Sequence, residues 1–468
     1  MNSNQKKRLE MKTIHNILRR AILVAGCAAC LTSLTAGAQH LQSGYFDSNF
    51  MYRYRMNPAY GNDGKFFIAM PALGNLNATT QGNVGLDAFI YNVNGKTTTF
   101  LNPEVSASEF MSSIKDKNRV GANIDATILA GGFKAFGGYN TVTLSARADV
   151  GVYIPKALLS LAKEGISNGA YNITNTGARA QAWAELAFGH SRNINKQWRV
   201  GGTLKFLLGG ANMEAKFHSA NIVLGQDNWV GEVNADLYSS VKGLTYKHDY
   251  NDRTQRHYVS GIDVDNTGLN GFGMGLDLGA VFTLNKDWEF SASLLDLGFI
   301  RWSNNMLATT HGPQTVVTDK YTFGIGKNKN DDWDRFRDDL SMLYELDDAG
   351  DQGGRTTGVG VTMNLAAQYT FPLYRDLTFG LLNTSRFQGE YTWTDFRLSA
   401  NVQPLKWLSG GINLGVGTFG ASFGWLINFK TRGFNFFLAS DRTPGKLAKQ
   451  GVPLNSNINV STGLNFTF

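Results

Sequence analysis

Apolar and polar residues alternate along most of this chain, and the alternation sets the reading of everything else. Val142, Leu144, Ala146, Ala148, Val150 and Val152 fall on one face of a period-two segment, with Thr141, Thr143, Ser145, Arg147, Asp149 and Gly151 on the other. The same pattern recurs over 119–128, 181–188, 198–208, 276–284, 288–294, 359–371, 396–402, 412–418 and 423–429. These runs approach the length of about 9 to 11 residues that a tilted strand needs to cross hydrocarbon. Asn193-Ile194-Asn195-Lys196, Asn285-Lys286-Asp287, Gln403-Pro404-Leu405-Lys406 and Lys430-Thr431-Arg432-Gly433 read as short hairpin turns between neighbours. The pattern predicts an all-β fold, a transmembrane antiparallel up-and-down β-barrel of about fourteen strands, within a range of roughly 12 to 18.

Two segments carry helical spacing instead. Ser106–Lys115 and Pro155–Gly165 are predicted as short helices, with Pro155 suited to a first turn and Gly165 to a stop. Residues 211–268 and 303–355 are long and polar and read as loops with local structure of their own. No window after Gln39 is apolar enough for a membrane helix of about 18 residues or more, which leaves the barrel as the membrane-spanning form. Tyr and Trp gather near strand ends, as at Trp198, Trp288, Tyr369 and Trp407, where an interfacial ring belongs.

Composition fits a wall that does not face water on its outside. The chain has 468 residues, 53 of them Gly and 9 Pro, and only 17% are charged. Residues 1–38 hold six Lys/Arg and one Asp/Glu, and without them 38 basic residues stand against 36 acidic ones. That near balance gives nucleic-acid binding no electrostatic basis. Lys6, Lys7, Arg8, Lys12, Arg19 and Arg20 precede the apolar run Ala21–Leu34, and Ala36-Gly37-Ala38 offers a small-x-small cleavage site. Residues 1–38 are therefore expected to be a signal peptide for export. Val24-Ala25-Gly26-Cys27 is also compatible with lipid attachment at Cys27. Both cysteines, Cys27 and Cys30, lie in this leader, so a cleaved chain has no thiol chemistry.

Sites for catalysis or cofactors are not indicated. His40, His190, His218, His248, His257 and His311 lack zinc-hydrolase spacing. Asp331, Asp332, Asp334, Asp338, Asp339, Asp347, Asp348 and Asp351 depart from the EF-hand pattern and read as a solvated acidic loop. The Gly271–Gly275 run is followed by no helix, and no Gly-x-Ser-x-Gly occurs. The expectation is a protein that is not an enzyme and carries no cofactor or metal. Asp125, Arg147, Asp149, Glu185, Lys205, Asp277, Glu289 and Arg397 all lie opposite the apolar stripe and are expected to face the lumen, as a polar pore lining or as paired charges. The terminal run puts Ile458, Val460, Leu464, Phe466 and Phe468 on one face; a last strand ending in Phe resembles the insertion signal of outer-membrane barrels, with Phe466 and Phe468 as its anchors.

Particular stretches also resemble a known family. Ser43-Gly44-Tyr45-Phe46, Tyr52-Arg53-Tyr54-Arg55-Met56-Asn57-Pro58-Ala59, Met70–Leu76, Gln81–Leu86, Phe188-Gly189-His190-Ser191 and Arg199–Gly210 are similar to an uncharacterised domain family of Bacteroidota outer-membrane proteins. The resemblance spans nearly all of 39–468 and implies a barrel with no assigned activity. More distantly, Asn57-Pro58-Ala59 is similar to the motif opening the long-chain fatty-acid transporter barrels and their type IX secretion relatives. That likeness implies an N-terminal plug inside a fourteen-stranded barrel and hydrophobic solutes leaving sideways through the wall. A local structural role for Pro58 and Asn57 is equally open. The expected organisation is a signal peptide over 1–38, a plug-like segment over 39–64 and a barrel over 65–468. The expected function is a passive outer-membrane conduit for a hydrophobic or small amphipathic solute; the alternative is a non-transporting anchor or docking component of a secretion or envelope-assembly complex. Expected partners are outer-membrane lipid, the barrel-insertion machinery and envelope or secretion components, with the chain itself a monomer.

Overall fold

In the computed structural model the described residues are 41–61, 66–85, 88–100, 102, 104–164, 169–174, 176–224, 228–319, 339, 342–343, 345–445 and 457–468. The segment expected as a signal peptide over 1–38, with Cys27 and Cys30, lies outside them, as do His40 and the acidic stretch from Asp331 to Asp338. Fourteen antiparallel strands close into a barrel. In chain order the wall strands are β1 (Phe67–Ala69 and Asn75–Gly82), β2 (Lys117–Ala135), β3 (Gly138–Pro155), β4 (Gly177–Asn193) and β5 (Trp198–Leu224). They continue with β6 (Gly271–Thr283), β7 (Trp288–Trp302), β8 (Arg355–Gly358 and Val361–Thr370), β9 (Leu377–Phe387) and β10 (Trp393–Leu405). The last four are β11 (Leu408–Gly417), β12 (Gly420–Lys430), β13 (Asn435–Ser440) and β14 (Ile458–Thr467).

Closure comes from β14, which pairs with β13 on one side and with both parts of β1 on the other. Phe67 stands opposite Thr467 and Leu76 opposite Thr462. This leaves no unpaired edge in the wall, as hydrocarbon requires of any β-structure within it. Phe466 faces outward on this seam, and Phe468 follows it, its ring 5.4 Å from that of Phe66.

Side-chain alternation separates the two faces of the wall. On β11, Ile412, Leu414 and Val416 are exposed while Ser409, Asn413 and Gly415 are buried. An apolar outside and a polar inside invert the usual globular pattern and match a wall between lipid and a filled lumen. Six short hairpin turns lie at one end of the barrel, with both chain ends of the wall, Phe67 and Thr467, while the opposite end carries the long connections and the shorter ones after β9 and β11. Trp198, Trp288, Tyr374 and Trp407 ring this turn end with their side chains exposed.

The loop end is built up instead. Helix α1 (Ala107–Ser113) is capped by Ser106, whose hydroxyl accepts from the Glu109 N–H at 3.1 Å. Its Phe110 packs with Leu159 of α2 (Lys156–Glu164) at this end. Residues 211–224, expected as loop, continue β5 without a break, so that β5 runs for 27 residues. At about 3.3 Å per residue it extends well beyond hydrocarbon. There it pairs with Asn228–Val241, and Ile222, Trp229, Val233 and Leu343 form an apolar core for this cap.

A charge on the outer wall tests the membrane-facing assignment. Leu414 is 64% exposed. Leu414→Arg is expected to destabilise the barrel in phospholipid vesicles by about 2–4 kcal/mol in a denaturant titration. The same titration should leave the outward loop-end substitution Val264→Arg near wild type.

Candidate functional site

The lumen is where the chain concentrates its polar chemistry, and its turn-end half is occupied by the chain's own N-terminal segment. Residues 41–61 form a hatch with two short 3-10 turns and a buried aromatic core of Tyr45, Phe46, Phe50, Tyr52, Tyr54 and Tyr60. The wall strands meet this aromatic core with apolar residues such as Phe67, Val281, Leu382, Leu426 and Phe437, and between them with hydrogen-bonding residues that partner the hatch's polar groups. The Asp441 carboxylate accepts from the N–H groups of Gln42 and Ser43 at 2.8 and 2.6 Å. Asp47 accepts from Ser409 and Asn428, Tyr52 donates to Asn465 at 2.6 Å, and the Tyr54 hydroxyl lies 2.9 Å from that of Thr143. These wall residues lie on opposite sides of the barrel, so the hatch fills the bore.

Asn57, Pro58 and Ala59 have a local structural explanation. Asn57 Oδ1 accepts from the Ala59 N–H at 3.0 Å and closes a turn. Its amide donates to the carbonyls of Ala280 and Ala292 on β6 and β7, at 3.3 and 3.2 Å. Gly201 and Gly279 let the motif approach: a Cβ on Gly201 would collide with the Pro58 carbonyl, and one on Gly279 with the Asn57 side chain.

Beside the hatch, ion pairs cross the bore. Arg55 binds Asp125 through both guanidinium nitrogens, at 2.7 and 2.5 Å. Arg147 grips both oxygens of Asp296 at 2.8 and 3.0 Å and reaches Glu185 at 3.1 Å. Lys205 contacts Asp296 at 2.6 Å, Asp277 at 2.8 Å and Glu185 at 3.6 Å. Arg386 on β9 stands 3.4 Å from Asp149 on β3, nearly diametrically across the wall. Arg397 belongs to a separate group on β10, 2.8 Å from Asp395, and donates to Gln42 of the hatch at 2.5 Å. Glu289, half-buried near the turns, accepts from the Tyr60 hydroxyl at 3.1 Å. Of the eight charges expected in the lumen, five thus join one network, while Asp125, Arg397 and Glu289 each bind a residue of the hatch.

Residues that carry this arrangement but escape sequence reasoning are Arg55, Asp296, Arg386, Asp395 and Arg442, the last of which stands 3.5 Å from Asp395. Asp296 is reached through a bulge: Leu276 pairs with Leu297 but Leu278 with Leu294, and Asp296 takes φ +60°. The phase slip in Leu294-Leu295-Asp296-Leu297 is its one signal in the sequence. Among the described residues no group of three or more His, Cys, Asp or Glu is arranged to hold a metal ion.

The wall also has a local irregularity against the hatch. Between Ala69, opposite Asn465, and Leu76, opposite Thr462, β1 carries a five-residue excursion, Met70–Gly74, across from the single residue Leu464. Ala72 takes φ +59° and donates to the Ile128 carbonyl at 2.9 Å, where β2 has its own bulge. A Cβ on Gly74 would strike the Tyr52 hydroxyl, which places the hatch directly behind this excursion. At the turn end a polar vestibule of about 240 Å³ opens under the hatch, lined by Arg53, Tyr60, Arg199, Glu289 and Asp376 among others.

The Arg55–Asp125 pair makes the hatch testable as a structural part. Arg55→Ala leaves a buried carboxylate without its guanidinium and is expected to destabilise the barrel by about 3–5 kcal/mol, read by denaturant titration. Arg55→Met with Asp125→Leu should recover most of that loss. Gly279→Val is expected to displace the hatch, read as new protease cleavage within 41–61 in a barrel that still migrates as folded.

Among solved structures, the chain is similar to a TodX deltaS2S3 mutant monoaromatic hydrocarbon channel at 10% identity, with 93% of this chain and 97% of that one covered and a TM-score of 0.39. It is similar to the CymD monoaromatic hydrocarbon channel at 9% identity, covering 93% and 97%, with a TM-score of 0.37. It is also similar to the Pseudomonas putida toluene transporter TodX at 8% identity, covering 88% and 90%, with a TM-score of 0.35. No curated protein matches the chain. The profile of a family of unknown function, DUF5723, matches residues 58–441, most of the chain, and the protein belongs to that family.

Proposed function

We propose that this protein is a hatch-closed conduit of the outer membrane for a small hydrophobic or amphipathic solute, with passage through the wall rather than along the axis. The observation that carries the reading is the Met70–Gly74 excursion in β1, set against the β2 bulge and backed by Tyr52 of the hatch. An axial route would have to cross both the hatch and the charge network, where desolvating an apolar solute against buried ions is unfavourable. A lateral route meets apolar and neutral groups instead: Leu73 is exposed on the outer wall, and Tyr52 is held by a neutral hydrogen bond to Asn465. The vestibule supplies an entry or exit for a small molecule on the turn side. In this reading residues 1–38 are the export leader, and Phe466 and Phe468 serve recognition by the insertion machinery.

A second reading has its own support. The cap on β5 and Asn228–Val241 carries an apolar core beyond the wall, as a docking platform would. Such a barrel would anchor a secretion or envelope-assembly complex without transporting.

Purified protein in planar bilayers is expected to show no steady ion conductance. In liposomes it is expected to speed entry of a small aromatic hydrocarbon. Deleting Pro71–Gly74 leaves one residue opposite Leu464 and restores the register, and this variant should fold, by heat-modifiable gel migration, yet lose the flux. A folded deletion variant that still transports would overturn the lateral route. Absence of flux in the intact protein would overturn the conduit and leave the docking reading, to be pursued by cross-linking in the native membrane.

A further inference from the structure

We propose that the turn end of the barrel is a collar that binds the anionic headgroups of phospholipid in the leaflet facing the short turns. Each of the six hairpins at this end carries an exposed cation in or beside its turn: Lys134, Lys196, Lys286, Arg375, Lys406 and Arg432. Within the same turns the acidic residues are Asp287 and Asp376. Among the described residues only one of these six cations has an ion-pair partner, Arg375 with Asp287 at 2.8 Å.

At the loop end several cations find partners within the chain. Lys247 pairs with Asp263 at 3.2 Å, Arg253 with Asp339 at 2.5 Å, Arg256 with Asp347, and Arg355 with Glu214. Among the described residues, five of the six turn-end cations have no such partner within the chain. Their counterions must come from outside the chain.

Position says which anion. Trp198, Trp288, Tyr374 and Trp407 are exposed on the same rim, and such rings settle at headgroup depth. Lys and Arg stems beside them lie along the apolar wall and lift their charges to the level of lipid phosphates. Spacing around the whole circumference, rather than clustering on one side, suits an annulus of lipids better than a single protein partner. Charge complementarity therefore commits the collar to anionic phospholipid, whose headgroup phosphates lie at the depth of these rings and attract basic side chains.

Brominated lipids read this directly, because three of the collar residues are tryptophans and bromine quenches indole fluorescence on contact. The full-length protein is reconstituted in phosphatidylcholine vesicles containing an equal fraction of either brominated phosphatidylglycerol or brominated phosphatidylcholine. Brominated phosphatidylglycerol is expected to quench more strongly, and the excess should shrink as sodium chloride rises from about 0.05 to about 0.5 M. The excess should vanish in the variant carrying K134Q, K196Q, K286Q, K406Q and R432Q, and persist when the loop-end cations are replaced by K242Q and K247Q. Equal quenching by the two lipids in the wild type would overturn the proposal, as would an excess indifferent to salt. An excess that survives the collar substitutions but falls with the loop-end ones would place anionic-lipid contact at the other rim and overturn it too. The salt titration on the wild type keeps the test decisive if the collar variant fails to fold.

Discussion

Everything in this molecule depends on the requirement that no backbone N–H or C=O be left unpaired in hydrocarbon. A sheet satisfies that requirement only by closing on itself, and here closure falls to the last strand, β14, laid between β13 and the interrupted β1. Closing fourteen strands creates a bore too wide for the wall's own side chains to fill. The N-terminal hatch and the crossing charges follow from that geometry: they occupy the space with groups whose partners line the inside. Polar inward faces are then a structural necessity as much as a functional choice, since Asp441, Ser409 and Ser293 exist in this setting to satisfy hatch backbone and side chains.

The buried charges obey the same logic. Breaking one partner out of a buried pair costs several kcal/mol, so the network is stable only as a whole. Arg147 alone satisfies two carboxylates, and Asp296 accepts from both Arg147 and Lys205. The left-handed backbone at Asp296 is tolerated because these partners hold it. Such an arrangement fixes how β3 to β7 are set relative to one another from inside, alongside the buried apolar cluster of Trp183, Leu207, Ile300 and Trp302.

How far this was legible in the sequence depends on which solvent each face meets. The wall strands with lipid outside and polar groups inside, such as β3 and β11, show clean alternation and were readable. The upper half of β5 was not, since beyond the membrane both its faces are half-exposed and the period-two contrast fades. In β9, Asn383 and Ser385 sit on the outward side, which hid the strand and with it Arg386. Arg55 lies in a segment without regular strand structure, so no periodicity could orient it toward Asp125. Inward charges on regular strands were legible one at a time; which of them meet across the bore depends on closure and register, which no local pattern encodes. The short helices were readable because Ser106 and Pro155 mark their starts chemically.

The distribution of bond types also ranks the ways this barrel can open. Withdrawing the whole hatch would strip Asp125 of Arg55 and Asp441 of two backbone donors, leaving buried charge behind at about 3–5 kcal/mol for each broken pair. Moving Tyr52 away from Asn465 breaks a neutral hydrogen bond, worth about 0.5–1.5 kcal/mol net. The Met70–Gly74 excursion, whose residues Pro71, Ala72 and Leu73 are exposed on the outer wall, is attached across the seam by few backbone bonds. The cheapest displacement that connects the lumen with the outside is therefore local and lateral, and it leaves the charge network undisturbed. A bore sealed by ions along its axis and by neutral contacts at one point of its wall is biased toward that single point.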